Sequence, residues 1–249
     1  MTELRLLALY PEHMNIYADR GNLLFLRRRC EWRGIPVTIR GVGLGEPIDP
    51  DACDLLYMGG GQDRDQRLVA EDLQGEKREA IAAALADGAA MLAVCGGYQL
   101  LGGEYRLGEE TLPGLGLVDL RTEREPGPRL IGNIAIEVDL GDGPRVLAGF
   151  ENHGGRTYLG PSERPLGRVL HGHGNNGRDG TEGVRRGKLI GTYMHGPLLP
   201  QNAWLADRLI AWALERRSGG PVELEPLDDT LERAAHESTL AAARRARSR

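Results

Sequence analysis

The chain has 249 residues, 41% of them hydrophobic and 27% charged, which suits one large domain with a sizeable core, or a domain plus a short appendage. A formal net charge of −5 with interleaved arginines and carboxylates excludes the basic face of a nucleic-acid reader. No apolar run approaches the roughly 20 residues of a membrane span, no export leader is legible in Met1 to Tyr10, and the three cysteines lack metal-ligand spacing, so free thiols in the cytoplasm are the expectation.

In chain order, Leu4 to Leu9 predicts a short buried strand and Gly21 to Trp32 a helix stopped by Gly34. The arginines Arg27 to Arg29 in that helix, like those at the chain end, read as a solvated face without function. Ile35 to Arg40 alternates as a second strand, and Asp54 to Met58 is a third, running into Gly59-Gly60-Gly61. Glu76 to Ala86 has helical spacing and stops at Gly88, and Ala90 to Val94 is a fourth strand. Strands alternating with helices predict an α/β fold, an open and mostly parallel sheet flanked by helices.

The second half reads differently. Leu115 to Leu120, Ile131 to Leu140, Val146 to Phe150 and Arg168 to Leu170 are strand-like and divided by Gly/Pro turns, which predicts added antiparallel or mixed strands. Lys188 to Met194 is another strand and Gln201 to Arg217 a closing helix. Residues 1–217 therefore read as one domain, and 218–249 as an appendage, partly helical and partly disordered.

The most informative stretch is Met91 to Gly102, where a buried strand ends in Cys95, then Gly96-Gly97, then a helix start. A sharp strand-to-helix turn presents a nucleophile away from the sheet, small neighbours permit the turn, and the helix dipole favours a thiolate. Cys30, in a helix, and Cys53, before a strand, have no such turn and read as structural.

Val94-Cys95-Gly96-Gly97-Tyr98-Gln99 resembles the nucleophile motif of class I glutamine amidotransferases, in the branch of cobyric acid synthase and the lipid II isoglutaminyl synthase glutaminases. Many members have Gly where this chain has Ala93, a small departure that a modest backbone adjustment accommodates. With Pro11 to Asn22 and the segments around Arg129, Glu151 and His195, the likeness spans roughly residues 5–215.

The resemblance implies the rest of the site. An oxyanion forms when sulfur attacks a carboxamide, and backbone N–H groups of Gly60, in the Gly-rich loop, and Gly96 are expected to face it. His195, at a strand end in Thr192-Tyr193-Met194-His195-Gly196-Pro197, matches the family's base, although many members carry Glu where this chain has Pro197, so the group that orients His195 stays open. His153, in Glu151-Asn152-His153, is expected to shape the cleft. His171 and His173 have no further ligand at a telling spacing, and no metal is expected. Arg129 matches the Arg that binds the α-carboxylate of glutamine, a pairing guanidinium suits. Gln99 matches a substrate contact, with a packing role equally open.

Residues typical of a P-loop, and the synthetase domain that cobyric acid synthase carries, are missing. The resemblance therefore implies a heterodimer. This chain would hydrolyse L-glutamine without a cofactor of its own, and a Mur-ligase-like partner that binds ATP would use the ammonia to amidate the D-glutamate α-carboxylate of lipid II in peptidoglycan synthesis. Open alternatives are a glutaminase for another acceptor such as a corrinoid acid, a thiol hydrolase on the same fold, and a non-catalytic binding subunit.

Overall fold

The structure, a computed structural model, describes residues 2–16 and 19–245; Tyr17 and Ala18 of the Pro11 to Asn22 motif and residues 246–249 of the appendage lie outside the described residues. The first half supplies β1 (Leu4–Leu9), α1 (Arg20–Glu31), β2 (Val37–Val42), β3 (Leu55–Met58), α2 (Asp63–Asp72), α3 (Glu76–Ala86), β4 (Ala90–Val94) and α4 (Gly96–Gln99). The second supplies β5 (Glu104–Leu107), β6 (Glu110–Pro113), β7 (Leu120–Arg124), β8 (Leu130–Asp139), β9 (Pro144–His153), β10 (Gly155–Leu159), β11 (Gly167–His171), β12 (Thr181–Glu182), β13 (Val184–Arg186), β14 (Leu189–Thr192), β15 (Met194–His195), α5 (Ala203–Ser218) and α6 (Thr230–Arg245).

A six-stranded sheet runs β13-β14-β4-β3-β1-β2, parallel except for its β13–β14 hairpin edge. β3, β4 and β14 are buried at every residue, as strands of a parallel sheet covered on both faces should be. Helix α5 lies across β1, β3 and β4 and packs on α1, burying Leu205, Leu209, Ile210 and Trp212. Of the second-half strands, β13 and β14 extend this sheet and the others form two further sheets, β10-β7-β5-β6 and β12-β11-β8-β9-β15. Asp139 tightens the β8–β9 hairpin by accepting from the N–H groups of Gly141 (2.7 Å) and Gly143 (3.2 Å). Among the described residues no helix is long and apolar enough to cross a membrane.

Three departures from the expected elements have physical causes. The second strand begins at Val37, because Pro36 has no N–H to donate to a ladder. Leu115 to Leu120 is not a strand: Leu115, Gly116 and Leu117 donate back to carbonyls of Leu100, Gly102 and Leu101, and β7 starts only at Leu120. Helix α2, unforeseen after the glycine run, carries Asp63 and Asp65 in its first turn and buries Gln66, Val69 and Ala70.

The arginine cluster of α1 is not uniformly solvated. Arg29 is fully buried and pairs with both Asp207 of α5 and Asp229. Arg33 also reaches Asp207, at 2.7 Å. Beyond α5 the chain runs without regular structure through Asp229, and α6 then lies on β8 and β9.

Candidate active site

Sheet register brings the site together. Met58 pairs with Ala93 and Thr192 with Val94, so the segments after β3, β4 and β14 leave one sheet edge side by side. Leu9 of β1 pairs with Met58, so the loop that follows β1 joins them. Such an edge, outside the carboxyl ends of parallel strands, is where open α/β sheets place their ligands.

Cys95 caps β4 with φ +51° and ψ −104°, a conformation an L-residue holds only under constraint. The constraint is visible in its neighbours. Cys95 N–H donates to Thr192 O at 2.8 Å, and Gly97 N–H to Gly59 O at 3.0 Å. A Cβ at Gly97 would meet Met58 O at 2.6 Å, and one at Gly96 would meet Gly61 N at 2.8 Å, so both positions require glycine. The helix that follows is a single turn, Gly96–Gln99, too short to sum the macrodipole expected to favour a thiolate.

His195 supplies that support instead. β15 turns back to pair with β9, His195 opposite Phe150, and the imidazole is fully buried. Burial opposes its charged form, but charge at Cys95, hydrogen bonds to Asp19 and Cys95, and the charge of Asp19 push its pKa up to about 10. The imidazole is therefore held in its charged form beside the Cys95 sulfur.

Asp19 is the residue that sequence reasoning left unnamed. It is fully buried, its Oδ1 lies 3.5 Å from His195 Nδ1, and its Oδ2 accepts from Gly60 N–H at 2.7 Å. Nothing in the sequence pairs positions so far apart; only the β1–β3 register brings the loop after β1 over the glycine run. That second bond corrects one expectation: Gly60 N–H is committed to Asp19 and does not face the cleft. Gly61, which lines it beside Gly96, is the loop glycine in position.

A cleft of about 400 Å3 opens over Cys95, lined by Gly61, Asp63, Arg64, Gln99, Arg124, Arg129 and His153 among others. Arg129 stands at its rim, held by Asn152, whose side-chain and backbone oxygens accept from Nε and Nη2 at 2.8 Å each. Arg124 lies against Gly154 and lines the cleft with Tyr105; its strand was misplaced by sequence reasoning, so it was missed. Gln99 is braced at both ends, Oε1 accepting from Gln66 Nε2 (2.8 Å) and Nε2 donating to Tyr193 OH (3.2 Å), so it forms wall more than free donor.

His153 and His173 are each engaged by other groups. His153 Nδ1 is 2.8 Å from Gly155 O, and burial pushes its pKa down despite Glu151. His173 Nδ1 is 2.8 Å from Glu151, whose oxygens also accept from the N–H groups of His173 and Gly174. Among the described residues no group of three potential ligands is arranged to hold a metal ion.

A cysteine on a strained turn at a parallel sheet edge, with a buried histidine and a buried aspartate beside it, is the arrangement of a thiol-dependent enzyme of the amidotransferase fold. The fold agrees: a chain of the PurLQS structure from Thermotoga maritima superposes with TM-score 0.56 at 16% identity, covering 88% of this chain and 99% of that one, a likeness of fold alone. The chain belongs to the CobB/CobQ-like glutamine amidotransferase domain family, whose profile matches residues 5–203. It is 41% identical over 233 residues to the lipid II isoglutaminyl synthase (glutamine-hydrolyzing) subunit GatD of Staphylococcus aureus (strain N315), covering 93% of each chain. To the GatD subunit of Streptococcus pneumoniae (strain ATCC BAA-255 / R6) it is 39% identical over 230 residues, covering 92% of this chain and 87% of that one.

Proposed function

We propose that this chain is the glutaminase subunit of a lipid II isoglutaminyl synthase, with Cys95 as nucleophile and His195 as proton carrier. The observation that carries the reading is the 41% identity to GatD along 93% of both chains, with Cys95 and His195 meeting at one sheet edge.

In this mechanism the thiolate of Cys95 attacks the side-chain carboxamide carbon of L-glutamine, and the oxyanion meets N–H groups of Gly61 and Gly96. The imidazolium of His195 gives its proton to the amide nitrogen, the C–N bond breaks, and ammonia departs. A glutamyl thioester remains. Water attacks it as His195 takes the water's proton, the C–S bond breaks, and sulfur leaves as thiolate beside the new imidazolium, giving glutamate, whose carboxyl proton goes to solvent, and restoring the pair. Arg129 binds the α-carboxylate. No cofactor enters these steps. ATP belongs to a Mur-ligase-like partner that activates the α-carboxylate of D-glutamate in lipid II and receives the ammonia, with the complex working in the cytoplasm.

The test is nitrogen transfer. Co-purified with such a partner and given ATP, lipid II and glutamine labelled with 15N in its amide, the complex should yield lipid II carrying the label as isoglutamine. Equal transfer by Cys95→Ala would overturn the reading, as would release of ammonia without transfer to lipid II.

A further inference from the structure

We propose that Asp19 is the positioning carboxylate of this site and that its two oxygens couple the base to the oxyanion loop, one facing His195 Nδ1 and the other fixing Gly60 N–H. The inference deepens the glutaminase reading and rests on it for its catalytic consequence.

The case begins with space. Pro197, two residues past His195, packs against α1: a Cβ added at Gly21 would meet Pro197 Cγ at 2.7 Å. A carboxylate following the histidine in sequence has no place there, and α1 fills the position. The residue that leads into α1, Asp19, reaches the imidazole instead, with Oδ1 at 3.5 Å from Nδ1. That distance is long for a hydrogen bond, as is common in active sites before substrate is bound.

Asp19 is itself immobilised. Its carbonyl accepts from Tyr57 OH at 3.1 Å, and Tyr57 OH accepts from Asn22 Nδ2 at 3.0 Å. Asn22 Oδ1 in turn accepts from Leu199 N–H at 2.9 Å, in the segment just after the base. One buried chain of bonds thus fixes both the carboxylate and the backbone that follows the imidazole. The second carboxylate oxygen holds Gly60, where a Cβ would meet His195 Cε1 at 3.2 Å. Loop and base are consequently set against each other, so a shift in either moves the Gly61 donor relative to Cys95. The titratable groups facing His195 are Cys95 from the turn, Asp19 from the loop before α1 and Glu182 from β12.

A carboxylate at Nδ1 fixes the tautomer that presents Nε2 to sulfur; its amide replacement can accept or donate and so loses that control. Asp19→Asn should lower kcat at least about 100-fold with KM changed less than about threefold. Alkylation of Cys95 by iodoacetamide, which requires no glutamine, should shift its pH midpoint upward by about one unit or more in Asp19→Asn, because the imidazolium loses its partner. Asp19→Glu should recover part of both. Should Asp19→Asn fail to fold, wild-type protein with 15N-labelled histidine decides: His195 should carry a proton on Nδ1 from about pH 6 to about pH 9. An unshifted alkylation profile, or a bare Nδ1, overturns the proposal while leaving the glutaminase reading intact. A shifted profile in a protein that releases no ammonia would overturn the glutaminase reading and leave the placement of Asp19 standing.

Discussion

The ring of Tyr193 stacks on that of His153, with 3.6 Å between centroids and 7° between planes. Tyr193 OH also contacts Thr157 at 2.7 Å, so the segment that leads to His195 is braced by the cleft wall. His153 is thereby a neutral aromatic wall, with Nδ1 tied to Gly155 O and its charged form opposed by burial. We expect His195→Asn to lose glutaminase activity by about 1,000-fold or more, and His153→Gln to lose about tenfold with the pH–rate profile unmoved. A profile displaced by His153→Gln would assign it a proton-transfer role.

The three thiols should separate cleanly under labelling. Burial pushes the Cys30 thiol up to about 12 and raises that of Cys53, so neither supplies thiolate at neutral pH. Iodoacetamide should modify Cys95 alone in folded protein, as read by peptide mass spectrometry. Cys95→Ala should lose glutaminase activity entirely and melt close to wild type. Equal labelling of Cys30 would contradict the buried placement.

Cys95 and His195, the proposed nucleophile and base, are each announced locally in the sequence, by a buried strand ending in a small-residue turn, and the structure brings the two together. Asp19 was not, since its role exists only through register between distant strands. Gly60 and Gly61 could not be told apart in sequence; the acceptor that claims Gly60 decides between them. Arg29 misled for a related reason. Arginines in a helix read as solvated when their carboxylates, Asp207 and Asp229, arrive from the far end of the chain. Strands β1, β3 and β4 are legible from continuous apolar runs and β2 from alternation, whereas β5, β6 and β10, four or five residues long, are too short to show a period.

Arg129 is oriented by Asn152 through two atoms of its guanidinium, a fork that lysine cannot reproduce. Arg129→Ala should raise KM for glutamine by about 10- to 100-fold, the worth of a charge-assisted pair, and Arg129→Lys should recover little of it. Steady-state ammonia release measures both. An unchanged KM would remove Arg129 from the substrate site and leave Arg124 as the candidate.

Glu182 predicts a pH effect on stability. Burial raises its pKa from 4.5 to about 8, against the opposing bonds from Tyr193 N–H and the Thr192 hydroxyl. The folded state then keeps a proton that the unfolded chain releases above pH 4.5, so this group's contribution falls as pH rises from 4.5 to about 8 and is level outside that window. The slope from one such proton is at most about 1.4 kcal/mol per pH unit. Glu182→Gln, which keeps an oxygen toward Tyr193 N–H, should be less pH-dependent in chemical denaturation across the window. Parallel curves for the two proteins would refute the buried neutral acid.

Arg29 is the sharpest test of how the chain end is held. Its guanidinium has no exposure, stacks over Phe25 at 5.6 Å, and sits between Asp207 and Asp229, so one side chain joins α1, α5 and the segment leading to α6. Desolvation disfavours its charge, and the two carboxylates more than compensate, raising its pKa. Arg29→Met removes the cation and leaves two carboxylates facing each other, a change that costs about 3–5 kcal/mol at buried pairs. Arg28, one residue earlier, pairs with Glu31 on the surface at 2.8 Å, and Arg28→Ala should cost no more than about 0.5 kcal/mol. Released from Arg29, the stretch between Gly219 and Asp229 should become the first site of proteolytic cleavage, while Cys95 and His195, held by strand register, stay in place. Equal stability of the two variants would mean that the buried pairs contribute no more than the exposed one, and that α6 is held by its packing on β8 and β9 instead.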